Sequence, residues 1–124
     1  MNKEHTKQLV ESCPILYRGG FGFECRDGWF QMISDLSVKL EVICEQALMK
    51  GTLIDDLPKA SQVKEKFGSL RFYLSHGLEG MEELIDKAED QSENICDMCG
   101  VPGDMHTDGG CYRVRCNKCK DKRR

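Results

Sequence analysis

The sequence predicts an α+β fold: a small helical body carrying one β-hairpin, closed at its C-terminal end by a four-cysteine zinc knuckle or ribbon. Three observations predict it. Apolar residues recur at helical spacing in the body, "QVKEKFGSLRFYL" alternates about a glycine turn, and the C-terminal stretch holds two C-x-x-C pairs. At 124 residues, 40% of them hydrophobic, the chain suits one compact domain with a small satellite module. The body is read as residues 1–92 and the module, with its basic tail, as residues 93–124.

The elements follow in order. "KEHTKQLVES" predicts a helix over about 3–12, ended by Cys13-Pro14 because the residue before a proline disfavours helical backbone. "YRGGFGFECRDG" reads as a glycine-rich aromatic loop. Asp27 stands at an N-cap position ahead of Trp29, Met32, Ile33, Leu36, Leu40, Ile43, Ala47 and Leu48. Their spacing predicts a helix over about 28–49, with Gly51 as its stop. A hairpin is predicted over about 62–74, with Val63, Glu65 and Phe67 on one arm and Leu70, Phe72 and Leu74 on the other. Gly68-Ser69 is read as its turn. Met81, Leu84, Ile85, Ala88 and Ile95 form the stripe of a last helix, about 79–94, which runs straight into Cys96.

Charge and compartment narrow the chemistry. The net charge of -3 is uneven: residues 1–92 carry 11 Lys/Arg against 16 Asp/Glu, and residues 93–124 carry 7 against 5. The start, "MNKEHTKQLVES", has no apolar region behind its charges, and no apolar run approaches about 18 residues. A cytoplasmic protein without membrane association is expected. Thiols stay reduced there, so eight cysteines point toward metal rather than a disulfide framework.

The pairs Cys96/Cys99 and Cys116/Cys119 are separated by 16 residues, the spacing of a structural zinc site. Two intervening residues let a tight turn aim both thiolates at one ion, and Gly100 supplies the left-handed residue such a turn needs. One structural Zn²⁺ on four thiolates leaves no open position for water. The same spacing admits an iron–sulfur cluster, a redox pair or disulfides. Cys111 and His106 lie between the pairs and could substitute as ligands; the favoured reading makes Cys111 a small buried strand residue and His106 a solvated loop residue. Cys13, Cys25 and Cys44 are read as buried thiols in preference to a second site.

No H-E-x-x-H, G-x-S-x-G or phosphate-binding loop occurs, and Glu79 falls three residues after His76, missing the deaminase H-x-E. Glu82, Glu83 and Asp86 are read as a solvated helix face. A metal-dependent nuclease built around His106 in "MHTDGG" is the weakest reading. A non-enzymatic binding protein is expected, with two candidate surfaces. Tyr17, Phe21, Phe23, Trp29 and Phe30 could anchor a protein partner. Alternatively, Arg113, Arg115, Lys118, Lys120, Lys122, Arg123 and Arg124 could contact nucleic acid.

"FECRDGW", "QVKEKFGSLRFYL", "CDMCG" and the closing "CNKC" together resemble a family of small phage and prophage proteins of bacteria, over residues 21–119. "VKEKFGSLRFY" is the most specific element. Such relatives often carry an aromatic after the glycine pair of the zinc hairpin, where this chain has Cys111. The resemblance implies a phage-type accessory protein that binds a host protein, including inhibition of a bacterial defence nuclease in the manner of an anti-CRISPR. With no catalytic group visible, such a protein would act by occupancy.

Overall fold

The computed structural model of the chain describes residues 1–122. Helix α1 (Lys3–Ser12) leads through the aromatic loop to α2 (Phe30–Met49). Strands β1 (Ala60–Lys66) and β2 (Ser69–Leu74) form an antiparallel hairpin, and α3 (Met81–Ser92) follows. A second hairpin, β3 (Asp104–Asp108) with β4 (Cys111–Arg115), lies between the two C-x-x-C pairs. The fold class is α+β, as the sequence predicts.

Helical periodicity places Met32, Ile33, Leu36, Leu40 and Cys44 on one buried face of α2. They join Val63, Leu70 and Phe72 from the hairpin, Met81, Ile85 and Ala88 from α3, and Leu9 from α1 in a single core. Each fully buried aliphatic side chain there contributes about 1.5–3 kcal/mol. Two polar groups share the buried face of α2. The carboxylate of Glu41 accepts hydrogen bonds from the backbone N–H groups of Ile15 (3.0 Å) and Leu16 (2.9 Å), satisfying a loop that turns inside the protein. Ser37 donates to Ile33 O (2.6 Å) and accepts from the Tyr17 hydroxyl (2.6 Å).

Both edges of the first hairpin are covered, which removes the usual hazard of an open strand. Along β1, Glu24 exchanges backbone hydrogen bonds with Val63 and Glu65. Along β2, the Leu70 N–H donates to Ser92 Oγ (2.9 Å) and the Phe72 N–H to Glu89 Oε2 (3.0 Å), both from α3. The sheet edge therefore sets the position of the last turn of α3, four residues ahead of Cys96. Among the described residues, no helix is long and apolar enough to cross a membrane.

Three local expectations are corrected. Asp27 does not cap α2. It lies in a 3₁₀ turn, Asp27–Trp29, and its carboxylate accepts from the Asn2 N–H (2.7 Å) and from His5 Nδ1 (3.0 Å). Partial burial opposes ionisation, but these two donors hold the Asp27 carboxyl below its usual range. The hairpin turn is Phe67-Gly68, not Gly68-Ser69, because Lys66 already pairs with Ser69. Both turn residues have positive φ, 54° and 78°. Helix α3 starts at Met81 rather than Glu79, because Gly80 sits in the left-handed region at φ 88°.

Candidate metal centre

Each C-x-x-C pair folds on its own tight turn. In the first, the Gly100 N–H donates to Cys96 O (3.0 Å) and Gly100 has φ +85°, the conformation the sequence predicts for it. In the second, the N–H groups of Cys119 (3.1 Å) and Lys120 (2.9 Å) both donate to Cys116 O. The β3–β4 hairpin, reversed by Gly109-Gly110 with both φ positive, brings the two turns face to face. The four Sγ atoms lie within 4.8 Å of one another, and Cys99 and Cys116 are 3.6 Å apart. A tetrahedron with Zn–S bonds of about 2.3 Å has edges of about 3.8 Å. The donor set and its spacing fit a single four-coordinate ion, and all four cysteines are free of disulfides.

The electrostatics favour a cation. Burial opposes ionisation at Cys96, but backbone N–H groups of Cys99, Cys116 and Met98 outweigh it and lower its pKa. Cys116 is lowered in the same way, against its own desolvation, by the N–H groups of Cys119 and Lys118 and by neighbouring thiols. Cys119 is pushed up, by desolvation first and then by the adjacent sulfurs. Four sulfurs this close cannot all ionise without a positive charge among them. A divalent ion on these four cysteines would supply that charge, and its binding would displace the remaining protons.

Supporting contacts tie the two turns together. Arg115 is 1% exposed; its Nε donates to Asp97 Oδ1 (2.6 Å) in the first turn. Its Nη1 donates to the carbonyls of Cys119 (3.1 Å) and Lys122 (2.9 Å) in the second. Burial raises the Asp97 carboxyl above its ordinary range while Arg115 pulls the other way. Removing either partner would strand a buried charge.

The body grips the first turn directly. The Gly28 N–H donates to Asp97 O (2.9 Å), and a Cβ at Gly28 would meet Cys96 O at 2.3 Å, so only glycine fits. Trp29, fully buried, donates its indole N–H to Ile95 O (3.0 Å), one residue before Cys96.

Comparisons with family models, with curated proteins and with solved structures found no match.

The other candidate residues are sorted by this geometry. Among the described residues, the four cysteines are the one group of three or more metal-ligating side chains within reach of a single ion. Cys111 is exposed rather than buried, since it lies at the open end of β4 opposite Asp108. His106 is a half-buried strand residue rather than a solvated loop residue, and its Nε2–H donates to Arg115 O (3.2 Å). Cys13, Cys25 and Cys44 are buried, as expected, and burial pushes their thiols up to about 12, 12 and 11. They are unreactive packing residues. Glu82, Glu83 and Asp86 are exposed on α3.

Of the five candidate protein anchors, Tyr17, Phe23 and Trp29 are taken up by the core. Phe21 is half-buried against Tyr17 and Phe23, with centroids 5.0 Å away in both cases. Phe30 stacks on His5 at 3.9 Å. These rings seal the interior of a small body instead of facing outward. Of the basic candidates, Arg115 is committed to Asp97, so it is withdrawn from any phosphate. Lys118, Lys120 and Lys122 are exposed, Arg113 is half-buried, and Arg123 and Arg124 lie outside the described residues.

Proposed function

We propose that the chain is a non-enzymatic binding protein whose C-terminal module is organised by one structural zinc ion on Cys96, Cys99, Cys116 and Cys119. The observation that carries this reading is the four-sulfur set, spaced for a single ion. Thiolate-only donors suit zinc, and four of them complete its tetrahedron with no position left for water or substrate. The phage-type accessory role and the host-protein partner, a defence nuclease included, come from the sequence resemblance and belong to the same proposal. The face suited to a protein partner is no longer the aromatic loop. It is the outer side of α2, where Val38, Val42 and Met49 are exposed, continuing into Leu53 and Ile54.

Elemental analysis of protein purified without added metal tests the centre. About one zinc per chain is expected, and none in the Cys96→Ser/Cys119→Ser variant. Iron, or no metal in the unaltered chain, would overturn the zinc assignment. For the partner face, Val42→Asp with Met49→Asp should abolish complex formation with the host protein while leaving zinc content unchanged.

A further inference from the structure

The solvent face of the first hairpin breaks three rules of local structure at once. The turn Phe67-Gly68 has the positive φ at both positions that marks a type I′ hairpin turn, where Asn-Gly is strongly preferred. A bulky ring in the left-handed region is strained, and Phe67 recovers little by burial, since it is 63% exposed. Lys64 pairs directly with Arg71 across the strands, a like-charge pair that destabilises a sheet. Among the described residues, neither makes an ion pair, nor does Lys66, and Arg71 Nε is buried without a hydrogen-bond partner. Docking accounts for the glycine, since a Cβ at Gly68 would meet Met105 Sδ at 2.4 Å. The exposed Phe67 ring and the Lys64–Arg71 pair are left without a folding role and mark a surface kept for something else.

Strand alternation puts Tyr73, Arg71, Lys64 and Lys66 on that face, with Phe67 at its tip. Tyr112 of β4 continues the row: its ring is 6.2 Å from Phe67 and nearly perpendicular to it, at 83°. Lys66 Nζ sits 5.5 Å from the Phe67 centroid. Tyr73 and Tyr112 are 45% and 43% exposed. Aromatic rings alternating with cations along one line are the chemistry that holds single-stranded nucleic acid: bases stack on the rings while cations follow the phosphates. From Tyr73 to Ser69 the strand rises roughly 13 Å. With the tip and Tyr112 beyond it, the row offers room for about four nucleotides, the lower end of single-strand site sizes.

We propose that this face, running from Tyr73 through Lys64, Arg71 and Lys66 to Phe67 and Tyr112, is a binding track for single-stranded nucleic acid. It differs from the basic C-terminal residues considered above, and it works although the chain as a whole is acidic. The carboxylate of Glu24, at the margin of the face, is occupied by Gln62 Nε2 (3.2 Å). The track rests on the zinc reading only in needing the β3–β4 hairpin folded so that Tyr112 is in place.

Fluorescence anisotropy of the zinc-loaded protein with a labelled oligothymidylate tests it, beside a duplex of equal length. The single strand should bind at least about tenfold more tightly than the duplex, because stacking needs open base faces. Phe67→Asn is the decisive variant. It removes the ring while creating the preferred Asn-Gly turn, so affinity should fall about tenfold or more as the melting temperature holds or rises. Lys64→Ala with Lys66→Ala should flatten the logarithmic salt dependence by about 1.4, or roughly 0.7 per lost phosphate contact. No binding at low salt, equal affinity for duplex, or unchanged affinity in Phe67→Asn would overturn the track. So would a lower melting temperature of that variant, which would make Phe67 a docking residue between the hairpins. Zinc measured on the same samples separates the two proposals: strand binding absent with zinc present overturns the track alone.

Discussion

Residues 1–92 bury a continuous apolar cluster that runs from Leu9 to Ala88, whereas residues 93–122 bury three hydrophobic side chains, Cys96, Val114 and Cys119. Two of those three are candidate ligands. The body is held by the hydrophobic effect, with a few buried polar groups such as Glu41 and Ser37 serving the loop and the helix around it. The module is far below the size at which a core can hold a fold, so an ion on its four cysteines would have to replace one. Four sulfurs converge on one point, and Arg115 spans the two turns behind them. A core spreads its free energy over many side chains that tolerate single changes. A cross-linked module concentrates it in a few groups, each of which is close to indispensable.

The sharpest way to break that comparison is to remove the ion. Structural zinc carries an apparent binding free energy of about 10–16 kcal/mol in small modules. Chelation, or Cys96→Ser with Cys119→Ser, should abolish amide-exchange protection beyond Ile95 while α2 and the first hairpin stay protected. Simultaneous loss of protection in both regions would mean that they fold as one unit. Next in size, Arg115→Met leaves Asp97 buried and unpaired and should destabilise the module by about 3–5 kcal/mol. Urea titration monitored through the module should reveal it, and adding Asp97→Leu should recover part of the loss. Within the body, Glu41→Ala orphans the N–H groups of Ile15 and Leu16 and should cost roughly 2–4 kcal/mol. Zinc affinity should be unchanged in that variant, and a weakened affinity would show that loop and module are coupled. The smallest effect belongs to Tyr17→Phe, which removes the hydroxyl donated to Ser37 and should lower stability by about 1 kcal/mol.

The sequence disclosed what depends on local spacing. The stripe of α2 follows a 3.6-residue period, and two C-x-x-C turns are self-contained, so both could be read without knowing what packs where. The misses at Arg115 and Gly28 depend on tertiary neighbours. Nothing local distinguishes Arg115 from the other basic residues of the C-terminal stretch; its role is set by Asp97, 18 positions earlier, which the hairpin brings beside it. Gly28 and Trp29 read only as the start of a helix, because their partners, Asp97 and Ile95, lie far along the chain. The turn was misplaced by one residue because phenylalanine is a poor occupant of a left-handed position, and Gly-Ser offered the better local chemistry. That failure was informative, since it fell on the face with the most unexplained strain.

The chain has a single tryptophan, and it is placed where the two regions meet. The Trp29 indole is shielded from water and hydrogen-bonded to the carbonyl of Ile95, one residue before the first candidate ligand. Loosening Cys96 should release that carbonyl and admit solvent to the ring, shifting its emission to longer wavelength. The protein would thereby carry an intrinsic optical gauge of metal occupancy. A titration in a fluorimeter, without label or engineered probe, would follow the ion on and off from the body's side of the junction.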